Sequence, residues 1–392
     1  MYKSYPKKVC LISYSLSGGG SERNIINLAM HLKKKGWITD IMLINNIVDY
    51  KEEYKKELGS MNIISIFEKE TKGFKINLKN LFLLLKTTYS IIRKNNYDIL
   101  VGGGDILPLY LSVFFAKLFK KKSVIVVSNN IRLILNEYYP NRLIRYLHYH
   151  LIKVAFLTVN TIICMSKGLA SDVIDTFHVP SKKINAIYNG IDIKKIHKLK
   201  DQLLPKRISS FVKGHRVIVG CGRLTPQKGF SYLIRAFRII HQSFPETRLL
   251  IMGKGPLEKD IKNLIQKLNL SSDAIMAGFV DNPYCYFKKS DIFVSSSLFE
   301  GFGNVIVEAM SCGVPVVAFD CSYGPREILS GTKYGILIPM KEGFLVKALT
   351  HLLKNNRLFI KYKEKSMERS KFFTLEKMGD SYDKALNRLL IQ

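Results

Sequence analysis

At 392 residues the chain is long enough for two domains with complete cores. A hydrophobic content of 47% and a mean hydropathy of +0.04 exclude a disordered chain. No run reaches the roughly 18 apolar residues of a spanning helix. The opening residues pass straight into an apolar strand that is too short for a signal core and lacks a cleavage site, so a cytoplasmic protein is expected, with peripheral attachment to the inner face of the cell membrane left open. The net charge of +30 is split evenly between residues 1–190 and 191–392, so no basic tail accounts for it. An anionic membrane surface, anionic nucleotides or nucleic acid would each suit it, as would a lysine-rich bias with no binding role. The six cysteines show no CxxC spacing and read as buried free thiols in a reducing compartment.

In chain order, apolar strands are predicted at 9–15, 39–45, 63–66, 99–103, 123–128, 161–165 and 185–188, with helical stretches between most of them. A second series follows at 217–221, 248–252, 274–277, 291–295, 314–319 and 335–338. Strands alternating with helices predict an α/β fold with parallel sheets. The expected division is a first Rossmann-like domain over 1–192, a polar, lysine-rich linker over 193–212 and a second Rossmann-like domain over 213–373. Residues 374–392 form a last helix, with Met378, Tyr382, Leu386 and Leu390 on one face.

The most informative stretch is Ser295-Ser-Ser-Leu-Phe-Glu-Gly-Phe-Gly-Asn-Val-Ile-Val-Glu308. It sets Glu300 in a glycine-rich turn after a strand and Glu308 eight residues on, in the helix that the turn opens. Gly301 and Gly303 leave room for a ligand near the main chain, and free amides at a helix start receive phosphate. Carboxylates accept hydrogen bonds from sugar hydroxyls, so the segment suits a nucleotide sugar. Gly222-Arg-Leu-Thr-Pro-Gln-Lys-Gly229 puts Arg223 and Lys228 on either side of a turn, a planar fork and a point charge able to flank a diphosphate. Ser17-Gly-Gly-Gly-Ser-Glu-Arg23 follows the first strand and opens a helix without the GxGxxG spacing of a dinucleotide loop. Arg248-Leu-Leu-Ile-Met-Gly-Lys-Gly-Pro256 ends a strand in a Gly-x-Gly-Pro loop, and Ala277-Gly-Phe-Val-Asp-Asn-Pro283 ends another.

These segments together resemble the retaining glycosyltransferases of family four, and the agreement runs from Ser17 to Pro339. The resemblance implies the GT-B fold, two Rossmann-like domains facing a cleft, with the donor mainly on the second domain and the acceptor mainly on the first. It implies that Glu300, Arg223 and Lys228 are catalytic. Donor contacts would come from Gly19 and Gly20 to the diphosphate, Arg223 and Lys228 to the phosphates, and Phe279 and Val280 to the base. Gly303, Asn304 and Val305 would lie beside the phosphates or the sugar, and Glu308 would bind the ribose. The expected reaction moves a hexosyl or N-acetylhexosaminyl group from a UDP-sugar, with retention, to a glycan or polyprenyl-linked saccharide acceptor. The donor is a substrate, so no cofactor is expected. The segment Asp320-Cys-Ser-Tyr-Gly-Pro-Arg-Glu-Ile328 resembles members that assemble capsule, lipopolysaccharide or lipid-linked glycans.

Where many members place a first-domain histidine, this chain reads Ser128-Asn-Asn-Ile-Arg132, leaving Asn129, Asn130 and Arg132 as alternatives. No Asp-x-Asp pair occurs in the sequence, and His148 and His150 are two apart on a predicted helix and face different ways, so no metal site is expected. A UDP-sugar epimerase of the same fold would need no acceptor. A basic nucleic-acid-binding protein should show stacking platforms or a localised basic stripe, which this even charge does not supply. Three segments, 74–94, 107–122 and 142–153, mix cations with long apolar residues. They read either as sheet-covering helices with a charged outer face or as a surface that docks on anionic lipid.

Overall fold

A computed structural model describes residues 6–16, 20–48, 59–67 and 78–391. They form two compact units, one of residues 1–190 with 375–392 and the other of 191–374.

The first unit is built on a seven-stranded parallel sheet. Its strands are β1 (Lys8–Ser13), β2 (Ile38–Asn45), β3 (Asn62–Phe67), β4 (Ile99–Gly103), β5 (Lys122–Val127), β6 (Thr161–Cys164) and β7 (Ile184–Ala186), in the order β3-β2-β1-β4-β5-β6-β7. Its central strands are buried on both faces, which is why they read in the sequence as unbroken apolar runs. Helix Gly20–Lys34 and the terminal helix Leu375–Ile391 cover one face. Helices Leu78–Asn95 and Ile106–Leu118 contribute to a separate core with other residues of the sheet. The terminal helix is fixed by Met378, Tyr382 and Leu386 in the core and by the Trp37 indole donating to Asp383 at 2.7 Å. Asn130 caps helix Ile131–Tyr138 by accepting from the Leu133 amide at 3.0 Å, and its own amide group donates to Asp172 at 3.3 Å.

The second unit repeats the plan with six parallel strands: β8 (Arg216–Cys221), β9 (Thr247–Met252), β10 (Ala274–Gly278), β11 (Ile292–Ser295), β13 (Val316–Phe319) and β15 (Ile336–Ile338). Their order is β10-β9-β8-β11-β13-β15. A separate two-residue parallel pair joins β12 (Phe299–Glu300) to β14 (Ser322–Tyr323). In both sheets the strand order reverses once, beside β1 and β4 and beside β8 and β11. Ligands of doubly wound sheets bind outside the carboxyl ends of the strands at that reversal. Residues 193–212 differ from a plain linker. They fold as helices Ile193–Leu199 and Lys206–Val212, which bury Ile196 and Ile208, and the first is tied down by the Asn282 amide donating to Leu199 O at 2.9 Å.

Candidate active site

Two loops leave the carboxyl ends of β8 and β11, on either side of the strand-order reversal, and they are bonded to each other along their length. The first makes a 3₁₀ turn over Pro226–Lys228, with proline at its start and Gly229 at its end. Gly229 holds φ +57, and a Cβ there would lie 2.3 Å from Ser296 O, so the close approach of the two loops requires glycine. The Leu298 amide donates to Gln227 O at 2.7 Å, and the Gln227 side chain donates to Phe299 O at 2.9 Å. The Ser296 hydroxyl donates to Lys228 O at 3.0 Å.

This framework brings two of the predicted site residues together. Lys228 Nζ donates to Glu300 Oε1, and the Ser297 hydroxyl donates to the same oxygen at 2.7 Å. The Glu300 side chain is 8% exposed and that of Lys228 17%, so the pair sits in a sheltered place with limited access to water. The sequence reading gave Lys228 to the phosphates and Glu300 to the sugar as separate partners, whereas here each faces the other. Arg223, on the same loop as Lys228, is exposed.

The β12–β14 pair fixes the height of Glu300, which stands opposite Tyr323. Tyr323 holds φ +79 and ψ −103, a strained backbone for a residue with a side chain. Gly324 follows, where a Cβ would fall 1.7 Å from Phe302 O. The Arg369 guanidinium donates to Ile328 O at 2.8 Å and to Glu327 O at 2.7 Å, and it stacks on Phe373, which in turn packs on Phe302. The turn carrying Glu300 is thus clamped from β14, from Gly324 and from helix Asn356–Ser370.

Past the turn, Gly303 with φ +100 opens helix Asn304–Ser311. Gly303, Asn304 and Val305 are half-buried, and Glu308 lies one turn further in and is buried. The loops after β9 and β10 are joined by the Gly253 amide donating to Gly278 O at 2.7 Å. Beside them Phe279 is exposed, with Lys254 Nζ 5.9 Å from its ring centre, and Val280 is half-buried. Burial, with the Glu300 charge as a second cause, pushes the Cys321 thiol up to about 12, so it is no thiolate nucleophile. Among the described residues no group of three or more His, Cys, Asp and Glu side chains gathers to hold a metal ion.

Gly20 is the exposed first residue of its helix in the first unit, and Gly19 lies outside the described residues. Asn130 is engaged in its helix cap. His148 contacts the Tyr110 hydroxyl at 3.0 Å and packs on Tyr139. Sequence reasoning missed Gln227 and Arg369, whose contacts lie 72 and 41 residues away and leave no local pattern, and Ser297, whose bond to Glu300 three residues on is one local signal that could have found it.

Two families match the chain in succession: Glycosyltransferase Family 4 over residues 18–195 and Glycosyl transferases group 1 over residues 204–370. An uncharacterized glycosyltransferase of Methanocaldococcus jannaschii is 32% identical over 294 residues, 71% of this chain and 69% of that one. A Campylobacter jejuni relative is 27% identical over 387 residues, 95% of this chain and 97% of its own. It is named N-acetylgalactosamine-N,N'-diacetylbacillosaminyl-diphospho-undecaprenol 4-alpha-N-acetylgalactosaminyltransferase. Among solved structures, Anabaena HepE in complex with UDP and glucose superposes with a TM-score of 0.80 at 19% identity, covering 97% of this chain and all of that one. TarM superposes with a TM-score of 0.77 at 17% identity, covering 99% of each. The chain belongs to the family 4 type of glycosyltransferases, built on the GT-B fold.

Proposed function

We propose that the chain transfers a hexosyl or N-acetylhexosaminyl group from a UDP-sugar to a lipid-linked or polymer-borne glycan, with retention of anomeric configuration and without a metal ion. The observation that carries this reading is the Lys228–Glu300 pair at the strand-order reversal of the second unit, with Arg223 on the same loop. Lys228, Arg223 and the amides of Gly303 to Val305 stabilise the departing diphosphate as negative charge collects on it. Glu308 accepts from the ribose hydroxyls. Glu300, released from Lys228 as the diphosphate takes up that cation, accepts from the hydroxyls of the transferred sugar. The sugar C1–O bond to the diphosphate breaks as the acceptor oxygen bonds to C1 on the same face. The acceptor's proton passes to the leaving phosphate oxygen. The placement of Phe279 and Val280 on the β10 loop suits contact with the base.

The names of the relatives support the choice of substrates. The Campylobacter relative is named for an acceptor on diphospho-undecaprenol, and a Staphylococcus aureus relative, 25% identical over 211 residues, is a poly(ribitol-phosphate) alpha-N-acetylglucosaminyltransferase. Both names specify alpha transfer, and HepE is in complex with UDP. Neither the epimerase reading nor the nucleic-acid reading draws support from any of them. The test is UDP release from a panel of UDP-sugars, with and without a polyprenyl-diphosphate saccharide, in the presence of chelator. Chelator-resistant release that needs one donor and the acceptor is expected, with an α-linked product by NMR. A β-linked product, a metal requirement or release with no acceptor dependence would overturn the corresponding part of the reading.

A further inference from the structure

Helix Arg142–Thr158 turns an apolar stripe to water. Leu143, Leu147, Leu151 and Val154 recur at i, i+4, i+8 and i+11, one side of an α-helix, and are 67%, 53%, 55% and 59% exposed. Its inner side buries Ile152, Ala155 and Phe156. A surface helix of a globular domain ordinarily carries polar residues outward, whereas among the described residues nothing covers this apolar stripe. The apolar surface continues onto helix Ile106–Leu118. Tyr110 there stacks on His148, and Phe114 and Leu118, one and two turns along the same ridge, are exposed. Arg142, Lys117 and Lys120 are exposed at its borders, Arg145 and Lys153 are half-buried, and neither helix contains an aspartate or glutamate.

The geometry points to this surface as the docking face for an anionic lipid bilayer. The apolar stripe enters the boundary between headgroups and acyl chains, and the flanking cations meet the anionic headgroups. A second copy of the chain is the poorer occupant, because it would set the same cationic rim against itself in a protein of net charge +30. The inference rests on the surface of the first unit and needs no donor chemistry, so its failure and a failure of the proposed transfer are separately visible.

The full chain is sedimented with vesicles of phosphatidylcholine alone and of phosphatidylcholine with phosphatidylglycerol, at low and at high salt. Partition onto the anionic vesicles is expected to be at least tenfold stronger than onto the neutral ones, and to weaken with salt. The double variant Leu147→Glu/Leu151→Glu should lose at least tenfold of that partition while keeping the wild-type melting temperature, since both sites are exposed. Leu203→Glu, at a position 96% exposed in the second unit, should bind as the wild type does. Wild-type protein that stays in the supernatant, a double variant that binds unchanged, or an equal loss in Leu203→Glu would overturn the proposal. So would a concentration-dependent dimer in sedimentation that the double variant dissolves.

Discussion

Breaking the Lys228–Glu300 pair from its two ends should give unequal losses of stability and equal losses of activity. K228M removes the partner of the more deeply buried charge, leaving a carboxylate 8% exposed with the Ser297 hydroxyl at 2.7 Å. Truncating one member of a fully buried pair costs about 3–5 kcal/mol, and the remaining water access here reduces that to about 2 kcal/mol. In E300Q the amide oxygen still accepts from Ser297 and from Lys228, whose long stem lets the ammonium reach water. The expected cost is about 1 kcal/mol. For a domain of this size each kcal/mol moves the melting temperature by about 2–4 °C, so K228M should melt about 4–8 °C below the wild type and E300Q about 2–4 °C below it. The double variant K228M/E300Q no longer buries a lone charge and should recover about 1 kcal/mol relative to the sum of the singles. Turnover, measured as UDP release at 25 °C, should fall by about 10²–10³ in all three, because K228M removes a cation from the departing diphosphate and E300Q removes the charged acceptor for the sugar hydroxyls. If E300Q melts below K228M, burial does not set the cost. If the double variant regains turnover along with stability, the pair is a structural tie and the proposed mechanism fails.

Gly324→Ala would place a Cβ 1.7 Å from Phe302 O, so the turn carrying Glu300 must shift. A loss of turnover of tenfold or more in a protein with wild-type circular dichroism is expected, and wild-type turnover would show that the turn tolerates displacement. Burial lowers the pKa of His148 in the folded state from its ordinary 6.5. Protonation therefore favours unfolding, and this contribution to stability is full above about pH 6.5 and shrinks as the pH falls through that value toward the lower folded one. The groups facing the ring, Tyr110 and Tyr139, carry no charge there. His148→Phe should accordingly show a smaller drop in melting temperature between pH 7.5 and 5 than the wild type, and an unchanged slope would refute the assignment. Burial pushes the thiols of Cys164 and Cys312 up to about 12, whereas Cys221 is half-buried. Native alkylation at pH 8 should reach Cys221 first, as read by peptide mass mapping, and equal labelling of Cys164 would contradict the packing.

The thirteen strands of the two main sheets were legible because a parallel sheet covered on both faces turns each strand into an apolar run bounded by polar turns. The two-residue β12–β14 pair was not legible, since two residues carry no period, yet it fixes Glu300 opposite Tyr323. Helices Ile193–Leu199 and Lys206–Val212 were missed for a related reason. Seven residues span two turns, and each helix buries a single isoleucine, which leaves the segment looking like a polar linker. The candidate site residues were legible one by one, from glycine and charge placed after strands. Their mutual arrangement was not, because Lys228 meets Glu300 across 72 positions and nothing local to either residue announces the other.

Helix Arg142–Thr158 shows the limit from the opposite side. Its sequence mixes cations with leucines in a way that fits either a sheet-covering helix with a charged exterior or a surface for lipid. Only the direction in which the helix is rolled separates the two. Ile152 and Phe156 have no exposure, so they set the inward direction, and Leu143, Leu147, Leu151 and Val154 are carried outward as a consequence of the 3.6-residue turn. Rolling the helix to hide those leucines would expose Ile152 and Phe156 and break the contact of Phe156 with Phe177. The apolar exterior is therefore imposed by the core beneath it and is not a packing choice that a few rotamer changes would undo. A residue count that balances apolar against charged positions cannot see this, because the count is the same for either roll.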